Sequence, residues 1–259
     1  MTDAFSSRTE LLLQPDGVAR LQAAHVLVVG LGGVGGYAAE QLCRAGVGKL
    51  TIVDGDTVSK SNLNRQLIAL RSTVGQPKAM LFRDRFHDIN PDCQVTALQE
   101  FLRDDRTIEL LQSTPFDCVV DCIDTLSPKV FLLYHAHRLG LPVVSSMGSG
   151  GKIDPSQVRA ADIADSHTCR LAAMVRKRLH RLGVDSGIRV VFSAEPVPSH
   201  AMVQDPSANH LTTIGTTSYM PPLFGCHIAA EVINIILKML LLIIVIIDFI
   251  KVLLFILKN

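Results

Sequence analysis

The chain has 259 residues, 48% of them hydrophobic and 19% charged, which gives one large domain or two small ones and excludes disorder. With 25 Lys+Arg against 24 Asp+Glu the formal net charge is +1, so the chain is no generally basic nucleic-acid binder and any such affinity must come from a local cluster. Tryptophan is absent and aromatic residues make up 5%, which argues against an aromatic stacking platform for single strands.

Residues 1–24 read as an N-terminal helical arm whose polar start carries no secretory signal. The six cysteines are scattered without a C-x-x-C pair, which fits a reducing, cytosolic setting and no structural zinc. His25-Val-Leu-Val-Val-Gly30 is a short apolar run ending in glycine. A small-residue helix follows to Gly46, then a second strand over residues 50–54, giving a βαβ unit with a right-handed crossover. A helix starts near Pro77, carries Met80, Leu81, Phe82 and Phe86, and stops at Asn90-Pro91. Residues 94–98 read as a strand and residues 117–122 as a buried central one. Ser127 as N-cap, with Pro128 at the first helical position, opens a helix to Gly140. Strands over residues 142–146 and 188–193 complete the sheet. The alternation predicts an α/β fold with a mostly parallel sheet over residues 25–231. An apolar tail, 232–259, follows as a C-terminal helix.

Gly30-Leu-Gly32-Gly33-Val-Gly35 lies between the first strand and its helix, and Asp54 ends the next strand, 19 residues past Gly35. Glycines let the backbone approach a phosphate at the helix N terminus, and an acid at the second strand end can accept from ribose hydroxyls. This marks an adenine-nucleotide site on a Rossmann-like fold, with NAD as the default. Gly46-Val-Gly48-Lys49 is a decoy, because Walker spacing needs glycine where Cys43 stands and Ser or Thr where Leu50 stands.

The residues that follow point away from NAD. Asp54-Gly-Asp56 leads to Ser61-Asn62-Leu-Asn64-Arg65-Gln66, then Gly75-Gln-Pro-Lys78, then Asp121-Cys-Ile-Asp124. Hydride transfer needs no cluster of phosphate-directed cations beside the ribose carboxylate, whereas an ATP site does. Asn62, Arg65 and Lys78 can grip a triphosphate, and Asp124 at a strand end can hold the magnesium that neutralises it. Singly, Arg65 and Lys78 read as solvated surface cations; the ordered set is what speaks for ATP.

At these residues the chain resembles the ATP-dependent adenylating family typified by ThiF, MoeB and HesA, relatives of the ubiquitin-activating enzymes. The resemblance spans about residues 8–235. It implies Gly30, Gly32, Gly33 and Gly35 as the nucleotide loop, Asp54 as the ribose acid with Asp56 beside it, and Asn62, Arg65 and Gln66 as the N-L-x-R-Q segment. Lys78 becomes a phosphate contact and Asp124 the magnesium ligand. Arg8 resembles the arginine that members insert into a neighbouring subunit's ATP site, which implies a homodimer. Asp124-Thr125 departs from the Asp-Asn of many members.

Within the family the chain is most similar to the tRNA threonylcarbamoyladenosine dehydratases, through Gly148-Ser-Gly150-Gly151-Lys-Ile-Asp154-Pro155, Ala161-Asp162-Ile163 and residues 171–182. The resemblance implies ATP-dependent cyclisation of a modified adenosine in tRNA through an acyl-adenylate. The two C-x-x-C zinc pairs common in sulfur-carrier activators are missing, and Cys169 is the one cysteine placed to act as an acceptor thiol. The rival readings are a sulfur-carrier adenylating enzyme, with or without a sulfur-relay partner protein, and a non-catalytic nucleotide-binding adaptor. Residues 170–189 carry Arg170, Arg176, Lys177, Arg178, Arg181 and Arg189 against Asp185 alone, a local charge of +5. Leu171, Met174, Val175, Leu179 and Leu182 fall on one helical face. That leaves Arg176, Lys177 and Arg181 on another, a stripe suited with Arg170 to a tRNA backbone.

The mean hydropathy of +0.31 owes much to residues 232–259, where 22 of 28 are apolar. The longest uninterrupted apolar run there is nine residues, Met239 to Ile247. Spanning would bury Asp248 and Lys251 at about 2.5–3.5 kcal/mol each. A helix with one polar and one broad apolar face fits better. Such a tail can lie in a membrane interface, at the inner face of a membrane for a cytoplasmic protein; the competing readings are a helix buried in an oligomer interface and a true spanning anchor.

Overall fold

In the computed structural model, which describes residues 5–203 and 213–237, the apolar run His25–Val29 forms β1 and is buried from Val26 onward. β1 pairs in parallel with β2 (Lys49–Val53) on one side and β4 (Cys118–Asp121) on the other. β3 (Gln94–Leu98), β5 (Val143–Ser146) and β7 (Arg189–Ser193) extend the parallel sheet. β6 (Val158–Asp162) closes it antiparallel to β7, in the order β3-β2-β1-β4-β5-β7-β6. The central strands are apolar at nearly every position because both faces are covered.

Alternation along β1 shows the two layers directly. Val26 and Val28 face a cluster that contains Leu42 of α2 (Gly35–Ala45) and Phe82 and Phe86 of α3 (Lys78–Ile89). Leu27 and Val29 face Leu110 of α4 (Asp104–Ser113), Leu132 of α5 (Leu126–Arg138) and Val175 and Leu179 of α6 (Arg170–Arg181). Strand ends and helix starts on the carboxyl edge of β1, β2 and β4 define the crevice where an open α/β sheet binds its ligand.

The N-terminal arm is helical but bent. α1 (Ser7–Ala23) breaks at Gln14, whose φ of 62° and ψ of 165° precede Pro15. Beyond the kink Val18 and Leu21 are buried, whereas Leu11 and Leu12 before it are 80% and 81% exposed.

Several elements differ from the sequence expectation. α5 starts two residues earlier than predicted, with Thr125 rather than Ser127 in the N-cap position and Pro128 within the first turn. α4 and β6 are additional. The compositional boundary at Val232 falls inside a helix, α7 (Met220–Leu237), which is long and apolar enough to cross a membrane but is 44% buried in the protein. Phe224, Ile228, Val232 and Ile236 belong to the same core as α2 and α3. The start of the tail is thus core helix, and residues 238–259 lie outside the described residues. α7 also backs the glycine loop: a Cβ on Gly33 would lie 3.1 Å from Pro221 Cβ, and one on Gly225 would lie 2.6 Å from Val34 O.

Candidate nucleotide and acceptor site

The turn from β1 into α2 is built from backbone that no side chain fits. Gly30 has φ of 88°, and a Cβ there would lie 2.7 Å from Cys122 O; on Gly35 it would lie 1.8 Å from Gly30 O. The loop is closed tightly on itself and on the end of β4, so its outer face and the first N–H groups of α2 present partial positive charge to an anion.

Beside the loop, the buried Asp54 carboxylate is oriented by two backbone donors. Leu31 N–H gives to Oδ2 at 2.7 Å and Asp56 N–H to Oδ1 at 2.8 Å. Burial pushes the Asp54 pKa above the ordinary aspartate value, and the nearby Lys78 charge opposes that rise. Lys78, buried at the start of α3, donates from Nζ to Asp56 Oδ2 at 3.1 Å. Asp54, Asp56 and Lys78 therefore form one cluster at the carboxyl end of β2.

A short turn, Lys60–Asn62, sets the next group. Asn62 Oδ1 accepts from Ser59 N–H at 3.0 Å, and its carbonyl accepts from the N–H groups of Arg65 and Gln66. The Asn62 side-chain oxygen is thus spent on fixing the turn. Arg65 Nη1 donates to Ser61 O at 2.9 Å and Asn64 Oδ1 at 2.8 Å, while its Cγ lies 3.2 Å from where a Gly33 Cβ would be. Partial burial lowers the Arg65 pKa from the ordinary arginine value, opposed by the Asp124 carboxylate it faces. Gln66 is buried, its Oε1 has no partner among the described residues, and its Nε2 lies 3.7 Å from a Cβ built on Gly32. An unpartnered buried acceptor beside a glycine loop is a hydrogen-bond position that a donor on a bound nucleotide can fill.

The structure thus brings Gly30, Gly32, Gly33, Gly35, Asp54, Asp56, Asn62, Arg65, Gln66, Lys78 and Asp124 to one crevice. Arg8 is exposed on α1 and makes no side-chain hydrogen bond or ion pair with a described residue. Among the described residues no group of three or more His, Cys, Asp or Glu side chains could hold a metal by itself. One exposed carboxylate, Asp124, fits a magnesium that arrives on phosphates.

The basic helix lies in the opposite layer. α6 buries Ala172, Val175 and Leu179, whereas Met174 and Leu182, predicted on the apolar face, are exposed. Arg176 is committed to Ser166, donating to its carbonyl at 2.6 Å and its Oγ at 2.5 Å. Arg170, Lys177 and Arg181 remain exposed. Arg176, Lys177, His180, Asp185, Ala164 and Ala173 line a surface cavity of about 430 Å³. Cys169 is buried at the head of α6, so it does not present a thiol to solvent. Sequence reading missed a fully buried ion pair under the site, Asp121 with Lys129 at 2.7 Å; two charges inside otherwise apolar segments were the available signal.

Comparison with known proteins agrees with this geometry. The model of the ThiF family matches residues 6–248. A tRNA threonylcarbamoyladenosine dehydratase of Bacillus subtilis is 38% identical over 240 residues, covering 90% of this chain and 94% of that protein. A crystal structure of the E. coli tRNA N6-threonylcarbamoyladenosine dehydratase in complex with ATP superposes with a TM-score of 0.82 at 33% identity, covering 92% of this chain and 96% of that one. A molybdopterin-synthase adenylyltransferase of Salmonella typhimurium is 42% identical over 130 residues, which is 50% of this chain and 51% of that protein.

Proposed function

The chain belongs to the ThiF family, and from that premise we propose that it is an ATP-dependent tRNA threonylcarbamoyladenosine dehydratase. The observation that carries this reading is the meeting of Asp54, Lys78, Arg65 and Asp124 at the glycine loop. Extent of similarity selects the acceptor: likeness to the Bacillus dehydratase runs over 90% of this chain, and likeness to the carrier adenylyltransferase over 50%.

ATP would lie with its ribose on Asp54 and its phosphates over the glycine loop. The carboxylate of the modified adenosine attacks the α-phosphorus and pyrophosphate leaves. Lys78 and Arg65 would offset charge on the phosphates, joined by Arg8 from a second copy in a homodimer. Asp124 would hold magnesium, which when bound neutralises the leaving pyrophosphate. The carbamoyl oxygen then attacks the activated carbonyl and closes a ring. AMP leaves with the former carboxylate oxygen, and tRNA loses one water overall. No protein nucleophile is needed, which agrees with the burial of Cys169. Incubation with ATP, magnesium and tRNA bearing the modification, followed by nucleoside mass spectrometry, should reveal the dehydrated nucleoside with AMP and pyrophosphate. ATP–pyrophosphate exchange stimulated only by a small carrier protein ending in Gly-Gly would select the sulfur-carrier reading instead.

Docking of tRNA is assigned to the exposed side of α6 and its cavity. Charge reversal of Lys177 and Arg181 together should weaken tRNA binding and flatten the slope of log K against log salt by roughly two, with ATP affinity unchanged. Reversal of Arg176 should cost stability as well, because its bonds to Ser166 are internal. An unaltered salt slope in the double variant would reduce the helix to a solvated face.

The cytoplasmic protein would be held at the inner face of a membrane by the residues past Leu237, since Val232 and Ile236 are occupied in the core. Truncation after Leu237 should move the protein from the membrane pellet to the soluble fraction as a dimer that still makes AMP. If the full chain is wholly soluble and truncation breaks the dimer, the tail is an assembly element.

A further inference from the structure

Asp121 at the end of β4 and Lys129 in the first turn of α5 are both 0% exposed, with Lys129 Nζ 2.7 Å from Asp121 Oδ2. Taking two charges out of water costs more than their attraction reliably returns, and buried pairs can often be exchanged for apolar residues without loss of stability. Stability is therefore a poor reason for this pair to exist.

Its hydrogen bonds supply a better one. Lys129 Nζ also donates to Ile123 O at 2.9 Å, and Asp121 Oδ1 accepts from Ile123 N–H at 3.0 Å. Ser145 Oγ on β5 donates to Asp121 Oδ2 at 2.6 Å. Both backbone polar groups of Ile123, the residue directly before Asp124, are thus held by the ion pair. From the other side the glycine loop leaves no slack, because a Cβ on Gly35 would lie 2.9 Å from Cys122 Cβ and one on Gly30 would lie 2.7 Å from Cys122 O. Residues 122–123 are clamped between the pair and the loop, and Asp124 emerges from that clamp into the crevice opposite Arg65.

We infer that Asp121, Lys129 and Ser145 are positioning residues, which fix the Asp124 carboxylate for adenylation through the backbone of Ile123. The inference rests on the adenylation reading above. The three side chains act beneath the crevice, so their removal is felt in catalysis and in the magnesium requirement and little in ATP affinity.

The test compares Lys129→Met, the double variant Asp121→Asn with Lys129→Met, the conservative Lys129→Arg, and Ser145→Ala in the full chain. Thermal melting, kcat and KM for ATP in AMP formation, and the magnesium midpoint of ATP binding are measured for each. Lys129→Met strands a buried carboxylate and should lower Tm, and the double variant should recover it. A positioning role predicts that the double variant regains Tm and the parent KM while kcat stays down by about tenfold or more and the magnesium midpoint rises. Lys129→Arg should recover part of the rate. Recovery of kcat along with Tm in the double variant overturns the inference. Should the double variant not fold, Ser145→Ala decides: a parent kcat and magnesium midpoint there overturn it, and a shift in both upholds it. If the unaltered chain makes no AMP, the adenylation reading itself has failed. The magnesium midpoint of ATP binding must then still shift in the variants for the pair to act on Asp124.

Discussion

Replacing Lys78 with alanine should slow AMP formation by about a hundredfold while leaving the chain folded, the loss expected when a transition-state charge contact is removed. The fold survives because the partner of Lys78 is the largely exposed Asp56, which regains water when the ammonium is gone. Catalysis falls, because among the described residues Lys78 is the lysine paired in the cluster at the carboxyl end of β2. The pH profile gives an independent reading. Burial holds the Asp54 pKa above the ordinary value and Lys78 opposes it, so the variant's Asp54 pKa is higher still. At a given acidic pH less of Asp54 is ionised to accept the ribose hydroxyls, and the acidic fall in ATP affinity should therefore move to higher pH. Arg65→Ala and Asp124→Ala should each cost at least about tenfold in the same assay. Parent rates in all three variants would mean that the crevice is not where phosphoryl chemistry occurs.

Gly35→Ala should be the most damaging single methyl group in the crevice. Its Cβ would lie 1.8 Å from the Gly30 carbonyl oxygen, and backbone on both sides is fixed by β1 and by Cys122. Relief requires the loop to open. A stability loss of about 3–4 kcal/mol, or about 10 °C in Tm, is expected, together with the disappearance of thermal protection by ATP. Gly46→Ala is the contrast. That residue has φ of 93° but nothing within 4 Å of an added Cβ, so it carries only left-handed strain of about 1 kcal/mol and should keep ATP protection. Equal melting temperatures for the two variants would sink the account of the loop.

What the sequence revealed and what it concealed follow from how locally each feature is encoded. β1, β2 and β4 are legible because a strand covered on both faces must be apolar throughout. β6 is not, since at the sheet edge only Val158 of its residues is buried. α4 is hidden by its acidic first turn and its three buried positions among polar neighbours. Glycines, Asp54, Arg65, Lys78 and Asp124 could be read because each belongs to a contiguous motif. The Asp121–Lys129 clamp was signalled only by two charges in apolar segments, and their pairing stayed hidden because it depends on how the chain turns between β4 and α5. Arg176 looked like a free cation for the same reason: Ser166 reaches it only through the turn that precedes α6. The compositional boundary at Val232 misled, since the mostly apolar residues 232–237 announce burial without saying whether protein or lipid does the burying.

The backing of the glycine loop by α7 sets a schedule on the ribosome. Pro221 and Gly225, against which Gly33 and Val34 rest, are made about 190 residues after the loop itself. At translation speeds of 5–20 residues per second the interval is roughly ten to forty seconds. Throughout it the nascent βαβ unit has an uncovered apolar face where α7 will dock, and cellular ATP, however abundant, finds no finished site to lock shut. Nucleotide is thus a late ligand for this chain, one that waits for α7 and gives no shelter to a fragment stalled before it.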